Sequence, residues 1–354
     1  MDKLKVGIIG TGSISGSHLQ GYLSSGMAQV SAVCDPNQEL AAAVARTYGI
    51  PRVYADYREM LRCEELDCVS VCTPTFTHKP IVIDALRAGA HVLCEKPPAL
   101  YADEVRDMME AAAQAGRLLM FGFVLRFSPK IQYMKHWIDA GELGGIYYAN
   151  ARRLVRCDYT QGWFGDREKA GGGMLFDGAI HELDAALYLM GYPRPVSALG
   201  SMSRVNIELP QKVRGVAVGY QASDSVRAPL TIESVARGFV TFENGASLVV
   251  EGCRSLHTET KVDLELVGDK GGAYIPSFEG DIQIRCCQND YLMDNRPVLT
   301  QEVDMHQEEI HHFLACCRGE AVCRCPAEHG LADLEIIEAI YRSAREGKAV
   351  YWGP

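Results

Sequence analysis

The sequence lacks long apolar runs, an excess of basic residues and internal repeats. No apolar run approaches the roughly 20 residues that a membrane-spanning helix needs, so we expect no membrane partner. The formal net charge is −10 at pH 7, and a negative surface argues against nucleic acid as the main partner. Charged residues make up 23% and hydrophobic residues 47% of the chain, an ordinary globular balance. These features favour a soluble protein that binds a small molecule.

The sequence also predicts no secretory signal. The opening residues MDKLKVGIIGTG predict a strand and a turn without a signal-peptide cleavage pattern, so we expect a cytoplasmic protein. Its 13 cysteines are then expected to be reduced thiols rather than a disulfide framework. Cys316, Cys317, Cys323 and Cys325 have CC and CxC spacings that could hold zinc, but the paired CxxC knuckles of structural zinc sites are missing. We therefore predict no metal site.

The length of 354 residues is too great for one core, since single cores stop growing near about 250 to 300 residues. Residues 1–125 alternate short β-branched runs with longer helical patterns, which is typical of a parallel sheet covered by helices. We predict a doubly wound α/β domain there. Its predicted strands are LKVGII, QVSAVCD, RVY, DCVSVCT, HVLCE and LLMFGFV.

Residues 126–354 show a different pattern and predict a second domain of the α+β class. Longer β-rich stretches follow one another, and Asn244 and Gly245 mark a hairpin turn between two of them. An open, predominantly antiparallel sheet is expected. One of its faces is expected to bury against a second subunit, and the other to be covered by helices at about 174–190, 305–318 and 327–346.

A glycine-rich turn follows the first predicted strand. In VGIIGTGSISGSHL, Gly10 and Gly12 come directly after the strand, and Ser13 and Ile14 follow at the start of a helix. Such a turn brings backbone amides close to a pyrophosphate. The third small position of the pattern is Ser15 instead of glycine, which is still small enough for helix-on-strand packing. The turn predicts a bound dinucleotide.

The residue at the end of the second predicted strand selects the dinucleotide. A carboxylate at Asp35 would accept hydrogen bonds from the adenosine ribose hydroxyls and would repel a 2′-phosphate, so NAD is favoured over NADP. Arg46 or Arg52 could still reach such a phosphate from elsewhere. Asp35 could also cap the helix that begins at QELAAAV, and both roles can coexist.

Two further strands deliver polar residues to the same sheet edge, where ligands of open α/β sheets bind. The strand DCVSVCT is followed by Thr73, Pro74, Thr75 and His78, which could line the cofactor. His78 could equally be a partly exposed residue in the first turn of the next helix.

The strand HVLCE ends on Glu95, Lys96, Pro97 and Pro98. Because burying a lysine is costly, Lys96 is expected to point into the cleft beside the nicotinamide end of the cofactor. There it could bind and polarise a substrate oxygen. Glu95 could orient it, and the prolines stiffen the exit, with a cis peptide as one option. The alternative is a surface lysine at a strand end.

A second constellation lies in WFGDREKAGGGMLFDGAIHELDAALYLMG, residues 163–191. Glycines 171–173 would allow close backbone approach to a ligand. Asp177 and His181 are spaced to address one ligand from a single helix face, and Asp184 could hold the imidazole from the next turn. The ordinary pKa of histidine, about 6.5, suits a group that takes a proton from an alcohol. Alone, His181 would more often be structural.

These motifs occur in an order that resembles one family over nearly the whole chain. The segments are GTGSIS, CTPTFTH, CEKPPAL, GGGMLFDGAIHELD and the closing HHFLACCRGEAVCRCPAEHGLADLEIIEAIYRSAREGKAVY. They resemble the glucose-fructose oxidoreductase, inositol dehydrogenase and rhizopine catabolism (Gfo/Idh/MocA) family of bacterial NAD(P)-dependent enzymes. The resemblance implies that Lys96 is the catalytic lysine, that Asp177 binds substrate and that His181 transfers the proton. It also implies an N-terminal Rossmann domain and a homodimer or homotetramer built through the C-terminal sheet.

Other residues near these motifs are candidates for substrate contact. Arg126 matches an arginine often seen in relatives and could contact substrate or cofactor, or form an interdomain ion pair. Tyr159 and Trp163 could stack on a sugar ring. Trp163 is followed by Phe164, where family members often have arginine, and Arg167 could take the place of that arginine.

We therefore predict hydride transfer between NAD and a secondary hydroxyl of a sugar, sugar derivative or cyclitol. His181 would act as general base, Lys96 would hold and polarise the reacting oxygen, and Asp177 would fix a neighbouring hydroxyl. One alternative is a glycoside-cleaving enzyme that oxidises C3 transiently with tightly held NAD. The other is a non-catalytic sensor that binds a dinucleotide and regulates a protein partner, against which the presence of all three residues argues.

Overall fold

The structure is a computed structural model that describes residues 2–156, 162–205, 230–254, 256–257, 259–300 and 302–353. It contains two compact units, one formed by Met1–Val124 with Asp304–Leu331 and the other by Leu125–Val303 with Ala332–Pro354. The first boundary lies close to the expected division after residue 125. The expected continuous second domain, 126–354, differs from the structure because residues 304–331 return to the first unit.

The first unit is built on a six-stranded sheet. Its strands follow the spatial order β3-β2-β1-β4-β5-β6, and all neighbours run parallel, which confirms the predicted doubly wound sheet. Helices cover both faces of such sheets, so the central strands are mostly apolar, and Val6, Ile8 and Val69 are fully buried. The strands are β1 (Leu4–Ile9), β2 (Ala28–Cys34), β3 (Arg52–Tyr54), β4 (Cys68–Val71), β5 (His91–Cys94) and β6 (Leu119–Phe121).

The helices begin and end at local signals. The side chain of Asn37 caps the second helix, and Gly49 and Gly116 end the second and fifth in the left-handed conformation. In chain order the helices are α1 (Ser13–Ser24), α2 (Gln38–Tyr48), α3 (Tyr57–Cys63), α4 (His78–Arg87), α5 (Ala102–Ala115), α6 (Pro129–Asp139), α7 (Arg167–Ala170), α8 (Met174–Asp177), α9 (Ile180–Met190), α10 (Met305–Cys317) and α11 (Ala327–Glu346).

Helix α10 belongs to the first unit, where it packs against α1. Its Ile310 lies so close to Gly21 of α1 that a Cβ at Gly21 would come within 2.8 Å of it. The prediction that the helix at 305–318 covers the C-terminal sheet is therefore wrong. The apolar side of α10, which includes Ile310, packs against α1 instead.

The second unit is built on a nine-stranded sheet with the spatial order β14-β13-β12-β11-β7-β10-β9-β8-β15. All neighbours are antiparallel except β7 and β10, which confirms the predicted, predominantly antiparallel sheet. The strands are β7 (Ile146–Val155), β8 (Pro195–Ser203), β9 (Val235–Phe242), β10 (Ser247–Arg254), β11 (Lys261–Gly268), β12 (Gly271–Pro276), β13 (Gln283–Gln288), β14 (Tyr291–Asn295) and β15 (Val350–Tyr351).

Three strands of this sheet have only a weak pattern in the sequence. β12 opens with two glycines, which weaken a strand pattern; β14 is largely exposed and β15 has two residues. Tertiary pairing, rather than local pattern, places each of them in the sheet.

The two faces of the second sheet differ. On one face Gly200 and Gly238 lie beneath Ile340 of α11, and a Cβ at Gly200 would come within 2.0 Å of the Ile340 carbonyl oxygen. Glycine therefore lets the helix approach the sheet closely. The other face presents Leu199 and Phe239, which are direct partners on β8 and β9 and are 53% and 45% exposed.

The described residues include no helix whose length and apolar content would suffice to cross a bilayer.

Candidate cofactor and substrate sites

The glycine turn after β1 has the geometry that a dinucleotide needs. Gly10 has a φ of +90°, and a Cβ there would lie 2.5 Å from the carbonyl oxygen of Cys72, so only glycine fits. At Gly12, which directly precedes α1, an added Cβ would meet nothing within 4 Å. Ser13 and Ile14 then form the first turn of α1. This open space lies at a helix N-terminus, beside the pair β1 and β4 at which the spatial order of the strands reverses. Such a position suits a pyrophosphate.

Asp35 follows β2 and is held beside this turn. Its Oδ2 accepts hydrogen bonds from the amide and the hydroxyl of Thr11, at 2.8 and 3.1 Å, and its Oδ1 accepts from the amide of Asn37 at 2.8 Å. The capping role considered for Asp35 belongs to Asn37, whose side chain accepts from the amide of Leu40. The half-buried carboxylate of Asp35 therefore lies where a ribose could reach it.

A buried histidine ties the loop after β4 to the loop after β5. Nε2 of His78 lies 2.8 Å from the carbonyl oxygen of Thr73, and Nδ1 lies 3.0 Å from that of Pro97. His78 is 1% exposed, so the interpretation as a partly exposed residue is wrong. Burial lowers the pKa of His78, although its carbonyl partners oppose this. His78 thereby fixes the loop that carries Pro74 and Thr75.

Glu95 and Lys96 follow β5 and are fixed by a buried network. Oε1 of Glu95 lies 2.8 Å from Nε2 of His18, and Oε2 accepts from the amide of Lys96 at 3.1 Å. Nδ1 of His18 lies 3.0 Å from Oγ of Ser70, which is 2.7 Å from the hydroxyl of Tyr22. The network holds the backbone at Lys96, whose side chain is half-buried. His18, Ser70 and Tyr22 were not predicted, because neither the glycine pattern nor the strand-end pattern assigns a role to their positions.

Glu95 is an anion shielded from water. Burial alone would raise the pKa of Glu95, but the hydrogen bond and charge of His18, with the charges of Lys96 and His306, bring it below its ordinary value of 4.5. His306 lies in the first turn of α10, and burial is the main cause of its lowered pKa. The peptide bond between Lys96 and Pro97 is cis, as the sequence allowed.

In the second unit, Asp177 and His181 stand out by their accessibility. They are the two residues of 172–187 that are not buried. Asp177 ends α8 and His181 lies in the first turn of α9, and Gly178 and Ala179 separate the two helices. The single helix predicted over 174–190 is therefore wrong, and with it the stacking of both side chains on one continuous helix face.

The glycines 171–173 serve packing within the protein. A Cβ at these positions would come within 2.6 Å of the Phe176 ring, 2.4 Å of the Tyr341 hydroxyl and 2.3 Å of the Glu233 carbonyl oxygen, respectively. The close backbone approach expected for a ligand is thus made to other parts of the chain.

Glu233 anchors this glycine segment. Its Oε1 accepts a hydrogen bond from the amide of Gly173 at 2.8 Å and another from the hydroxyl of Tyr341 at 2.6 Å. Burial raises the pKa of Glu233, while these hydrogen bonds oppose the shift. The anchor sets where α8 begins and thus where Asp177 lies. Sequence reasoning missed it because Glu233 and Tyr341 are distant in the chain.

Asp184 belongs to a buried cluster. Its Oδ2 accepts from Nε of Arg126 at 2.9 Å, and its Oδ1 accepts from the hydroxyl of Tyr192 at 2.9 Å. Burial and the neighbouring Asp184 carboxylate raise the pKa of Asp333, and Arg126 opposes this. The prediction that Asp184 holds the imidazole of His181 is therefore wrong.

Arg126 belongs to the same buried cluster as Asp184. It is 0% exposed, and its guanidinium is paired with Asp184 inside the second unit. The structure therefore places Arg126 in an ion pair that does not join the two units. A contact of Arg126 with substrate or cofactor stays a prediction. A buried charge needs such a partner.

A second ion pair anchors the start of α9. Nε and Nη2 of Arg153 donate to the two carboxylate oxygens of Glu182 at 2.7 and 2.8 Å, and Oγ of Ser277 donates to the same carboxylate at 3.1 Å. Glu182 is fully buried and follows His181 directly. The two ion pairs on Glu182 and Asp184 therefore fix the backbone at His181.

Trp163 lies in a 3₁₀ turn, Gly162–Gly165, and is half-buried. Its indole stacks on the ring of Phe164 with centroids 3.9 Å apart, so a sugar would have to use the opposite indole face. Arg167, considered as a replacement for an arginine at position 164, lies over the ring of Tyr341 at 5.8 Å. Tyr159 lies outside the described residues.

The predicted site residues thus form two groups. The predicted cofactor residues follow β1, β2, β4 and β5 at the carboxyl edge of the first sheet, and they are Gly10, Gly12, Ser13, Ile14, Asp35, Thr73, Pro74, Thr75, His78, Glu95 and Lys96. Asp177, His181 and Trp163 belong to the second unit. The meeting of Lys96 with His181 stays a prediction.

Comparison with known proteins identifies both halves of the chain. Residues 4–123 match an oxidoreductase family with an NAD-binding Rossmann fold, and residues 135–351 match the C-terminal alpha/beta domain of that oxidoreductase family. The first match coincides with the unit that carries the glycine turn and Asp35, whose geometry fits the cofactor.

Relatives of similar length include sugar and inositol dehydrogenases. The chain is 32% identical to the D-glucoside 3-dehydrogenase of Escherichia coli (strain K12), over 98% of this chain and 97% of that protein. It is 27% identical to the inositol 2-dehydrogenase of Rhizobium meliloti (strain 1021), over 98% of each. The solved structure of levoglucosan dehydrogenase with NADH and L-sorbose has a TM-score of 0.86 at 24% identity and covers 99% of both chains, which shows the shared fold.

We predict that Glu95→Gln lowers the free energy of unfolding at pH 7 by about 1–3 kcal/mol, because it removes the charged partner of His18. The folded pKa of Glu95 lies below 4.5. Its ionised form therefore stabilises the fold above that pH, and the stabilisation is lost as the pH falls through the folded value. Denaturant unfolding of both proteins should show the difference shrinking at acid pH.

The matched control is Glu65→Gln, since the Glu65 side chain is 97% exposed and lies 3.8 Å from Lys5. We expect this change to stay within about 0.5 kcal/mol at every pH. A Glu95→Gln effect that is the same at pH 7 and at about pH 3 would argue against an ionised, stabilising Glu95.

Proposed function

Because the chain belongs to the Gfo/Idh/MocA family of NAD-binding oxidoreductases, we propose that it transfers a hydride between NAD and a secondary hydroxyl of a sugar, sugar derivative or cyclitol. The chain is an NAD(P)-dependent dehydrogenase by family. Beyond this family assignment, we propose the class of substrate and the residues that move the proton.

The proposal rests above all on the accessibility of Asp177 and His181. Between residues 172 and 187 these two side chains reach solvent while all their neighbours are buried. Buried ion pairs at Glu182 and Asp184 hold the helix that carries His181. A polar pair that is rigidly held and still accessible is what a substrate site requires, because positioning supplies much of the rate.

The proposed chemistry needs one proton acceptor and one group that stabilises the oxygen. NAD accepts the hydride when it is bound. The imidazole of His181 takes the hydroxyl proton as the carbon becomes a carbonyl, and the ammonium of Lys96 donates a hydrogen bond to the same oxygen. Asp177 accepts a hydrogen bond from a neighbouring hydroxyl and fixes the ring. In the reverse direction His181 returns the proton to the carbonyl oxygen.

Both relatives named above support a polyhydroxylated substrate. One is a D-glucoside 3-dehydrogenase and the other an inositol 2-dehydrogenase. We therefore propose that D-glucosides and inositols are the first compounds to test. The half-buried Trp163 would offer an apolar indole face to the carbon skeleton of such a ring.

NAD is the proposed cofactor in preference to NADP. The carboxylate of Asp35 is fixed next to the glycine turn by Thr11 and Asn37. A 2′-phosphate there would meet its negative charge. Arg52, one possible phosphate partner, has its Nε 3.9 Å from the carboxylate of Glu64.

We further propose a homodimer or homotetramer assembled through the second sheet. Leu199 and Phe239 lie side by side on the face opposite α11 and are 53% and 45% exposed. On the next strand Val249 pairs with Phe239 in register. Adjacent apolar side chains on a sheet face favour burial against another subunit.

The cytoplasm is the proposed compartment. The twelve cysteines of the described residues carry free thiols, and four of them are buried in strands: Cys34, Cys68, Cys94 and Cys253. Reduced thiols persist in a reducing compartment. Recovery of the protein from a periplasmic extract would contradict this assignment.

The catalytic proposal predicts that Lys96→Met and His181→Asn each lower kcat by about 10²–10⁴-fold. NAD affinity should change by less than about threefold in His181→Asn, because His181 is not among the predicted cofactor residues. The measurement is NADH formation with a panel of D-glucosides and inositols, together with NAD binding by calorimetry.

Lys3→Met and His257→Asn are matched controls, since both residues are exposed, and both should retain wild-type kcat. Full activity in either Lys96→Met or His181→Asn would contradict the assigned roles. Release of an aglycone without net NADH would indicate the glycoside-cleaving reaction instead. NAD binding without turnover of any compound would indicate a sensor.

The cofactor proposal predicts that wild type prefers NAD over NADP by at least about tenfold in kcat/KM. Asp35→Asn keeps an acceptor oxygen for the Thr11 amide and removes the charge, so it should reduce that preference by about tenfold. Steady-state kinetics with both cofactors measure this. Equal use of NAD and NADP by the wild type would contradict the proposal.

The assembly proposal predicts that Phe239→Arg converts the oligomer to a monomer, because a charge would be buried in the subunit contact. Leu23→Arg on α1 is the control, at 50% exposure, and should leave the assembly unchanged. Light scattering coupled to gel filtration gives the mass. A monomeric wild type at micromolar concentration would overturn the proposal.

A further inference from the structure

A cluster of metal-binding side chains lies at the end of α10, and none of them takes part in the proposed hydride transfer. His312 and Cys316 are one turn apart on α10, and Cys323 lies in the segment between α10 and α11. One ligand atom of each residue lies within 4.8 Å of those of the other two. We propose that His312, Cys316 and Cys323 bind Zn²⁺.

The spacing of the ligand atoms suits a tetrahedral zinc ion. With Zn–S and Zn–N bonds of about 2.3 and 2.0–2.1 Å, tetrahedral angles place sulfur and nitrogen about 3.6 Å apart and two sulfurs about 3.8 Å apart. Nε2 of His312 lies 3.3 Å from Sγ of Cys316. Small side-chain rotations would therefore bring the three atoms to coordination distance.

The protonation state of His312 favours the same conclusion. The backbone amide of Arg324 donates a hydrogen bond to Nε2 of His312 at 3.0 Å. An amide nitrogen can only donate, so Nε2 carries a lone pair and the ring proton is on Nδ1. Nε2 is thus the nitrogen available to a metal, and it faces a thiol. Zinc would replace the amide as the partner of that lone pair.

The thiols also suit a cation. Cys316 and Cys323 are neither exposed nor fully buried. An ion can therefore reach them and, once bound, is partly shielded from bulk water. Thiolate is the form that binds zinc. Two thiolates and one neutral imidazole would balance the charge of Zn²⁺.

The segment that carries Cys323 is held at both ends. After α10, Gly319 has a φ of +71°, and the amide of Glu320 donates to the carbonyl of Ala315 at 2.9 Å, which turns the chain back. Farther on, Pro326 forms an isolated β-bridge with Met120. Cys323 is therefore presented to α10 by a short anchored loop, which reduces the entropy that binding would cost.

This site revises the sequence-based expectation of no metal. The four cysteines were considered as a group, but Cys317 lies against Cys68 of β4 and Cys325 is fully buried. The third ligand is His312, four residues before Cys316. Among the residues that the structure describes, three side chains form the cluster, so a water molecule would complete the tetrahedron.

The test uses the full-length protein, reduced and freed of metal with a chelator, then dialysed against Zn²⁺. Metal per chain is counted by inductively coupled plasma mass spectrometry. We expect about one zinc per chain in the wild type, and at least tenfold weaker binding in Cys316→Ala and in Cys323→Ala. The matched control is Cys63→Ala, since Cys63 is exposed at the end of α3 in the same unit, and it should bind zinc as the wild type does.

Cobalt gives a second readout that needs no variant. Co²⁺ added to the reduced wild type should produce thiolate-to-metal absorption with the intensity of two thiolate ligands in a tetrahedral site. Because this readout uses the wild type, it tests the site even if a cysteine variant loses zinc only because it fails to fold.

Three outcomes would overturn the proposal. One is a wild type that retains less than about 0.1 zinc per chain. Another is equal zinc binding in the wild type and in both Cys316→Ala and Cys323→Ala. The third is a Cys316–Cys323 disulfide in protein isolated from cells, with no zinc bound after its reduction. None of these readouts depends on dehydrogenase activity.

Discussion

The buried contact between Glu95 and His18 joins the helix after the glycine turn to the strand end that carries Lys96. The positions of the proposed cofactor site and of Lys96 depend on it. His18 lies on the helix that begins at the glycine turn, and Glu95 lies at the end of β5, directly before Lys96. A carboxylate that is 8% exposed needs a hydrogen-bonded, charged partner, or its desolvation would be very costly. Because the contact satisfies both side chains, it fixes α1 relative to the end of β5. His78 acts in the same way between the loops after β4 and β5.

The second unit uses the same principle with different residues. Glu182 and Asp184 are fully buried on α9, and each is paired with an arginine, Arg153 or Arg126. Removing either partner would leave a buried charge uncompensated. His181 directly precedes Glu182 in the chain, and it is accessible while Glu182 and Asp184 are not. The ion pairs of Glu182 and Asp184 therefore hold the backbone that carries the accessible His181.

Close backbone contacts explain several glycines whose sequence pattern suggested ligand binding. Gly10 and Gly12 behave as the motif predicts, one at a tight contact and the other beside open space. Glycines 171–173 look similar in sequence, yet each lies against a side chain or backbone of the same unit. A glycine-rich segment indicates that other atoms lie close to its backbone. Only the folded structure shows whether these atoms belong to a ligand or to the protein itself.

The sequence by itself determined the parallel sheet, the predominantly antiparallel sheet and the positions of the motif residues at strand ends, because periodicity and turn residues act over a few neighbours. It also marked Lys96, Asp177 and His181 as candidate site residues. Tertiary structure alone decided that α10 joins the first unit, that Arg126 pairs with Asp184, and that His312 meets Cys316 and Cys323. These outcomes depend on contacts between segments far apart in the chain, and the burial that makes such contacts favourable exists only once the chain has folded.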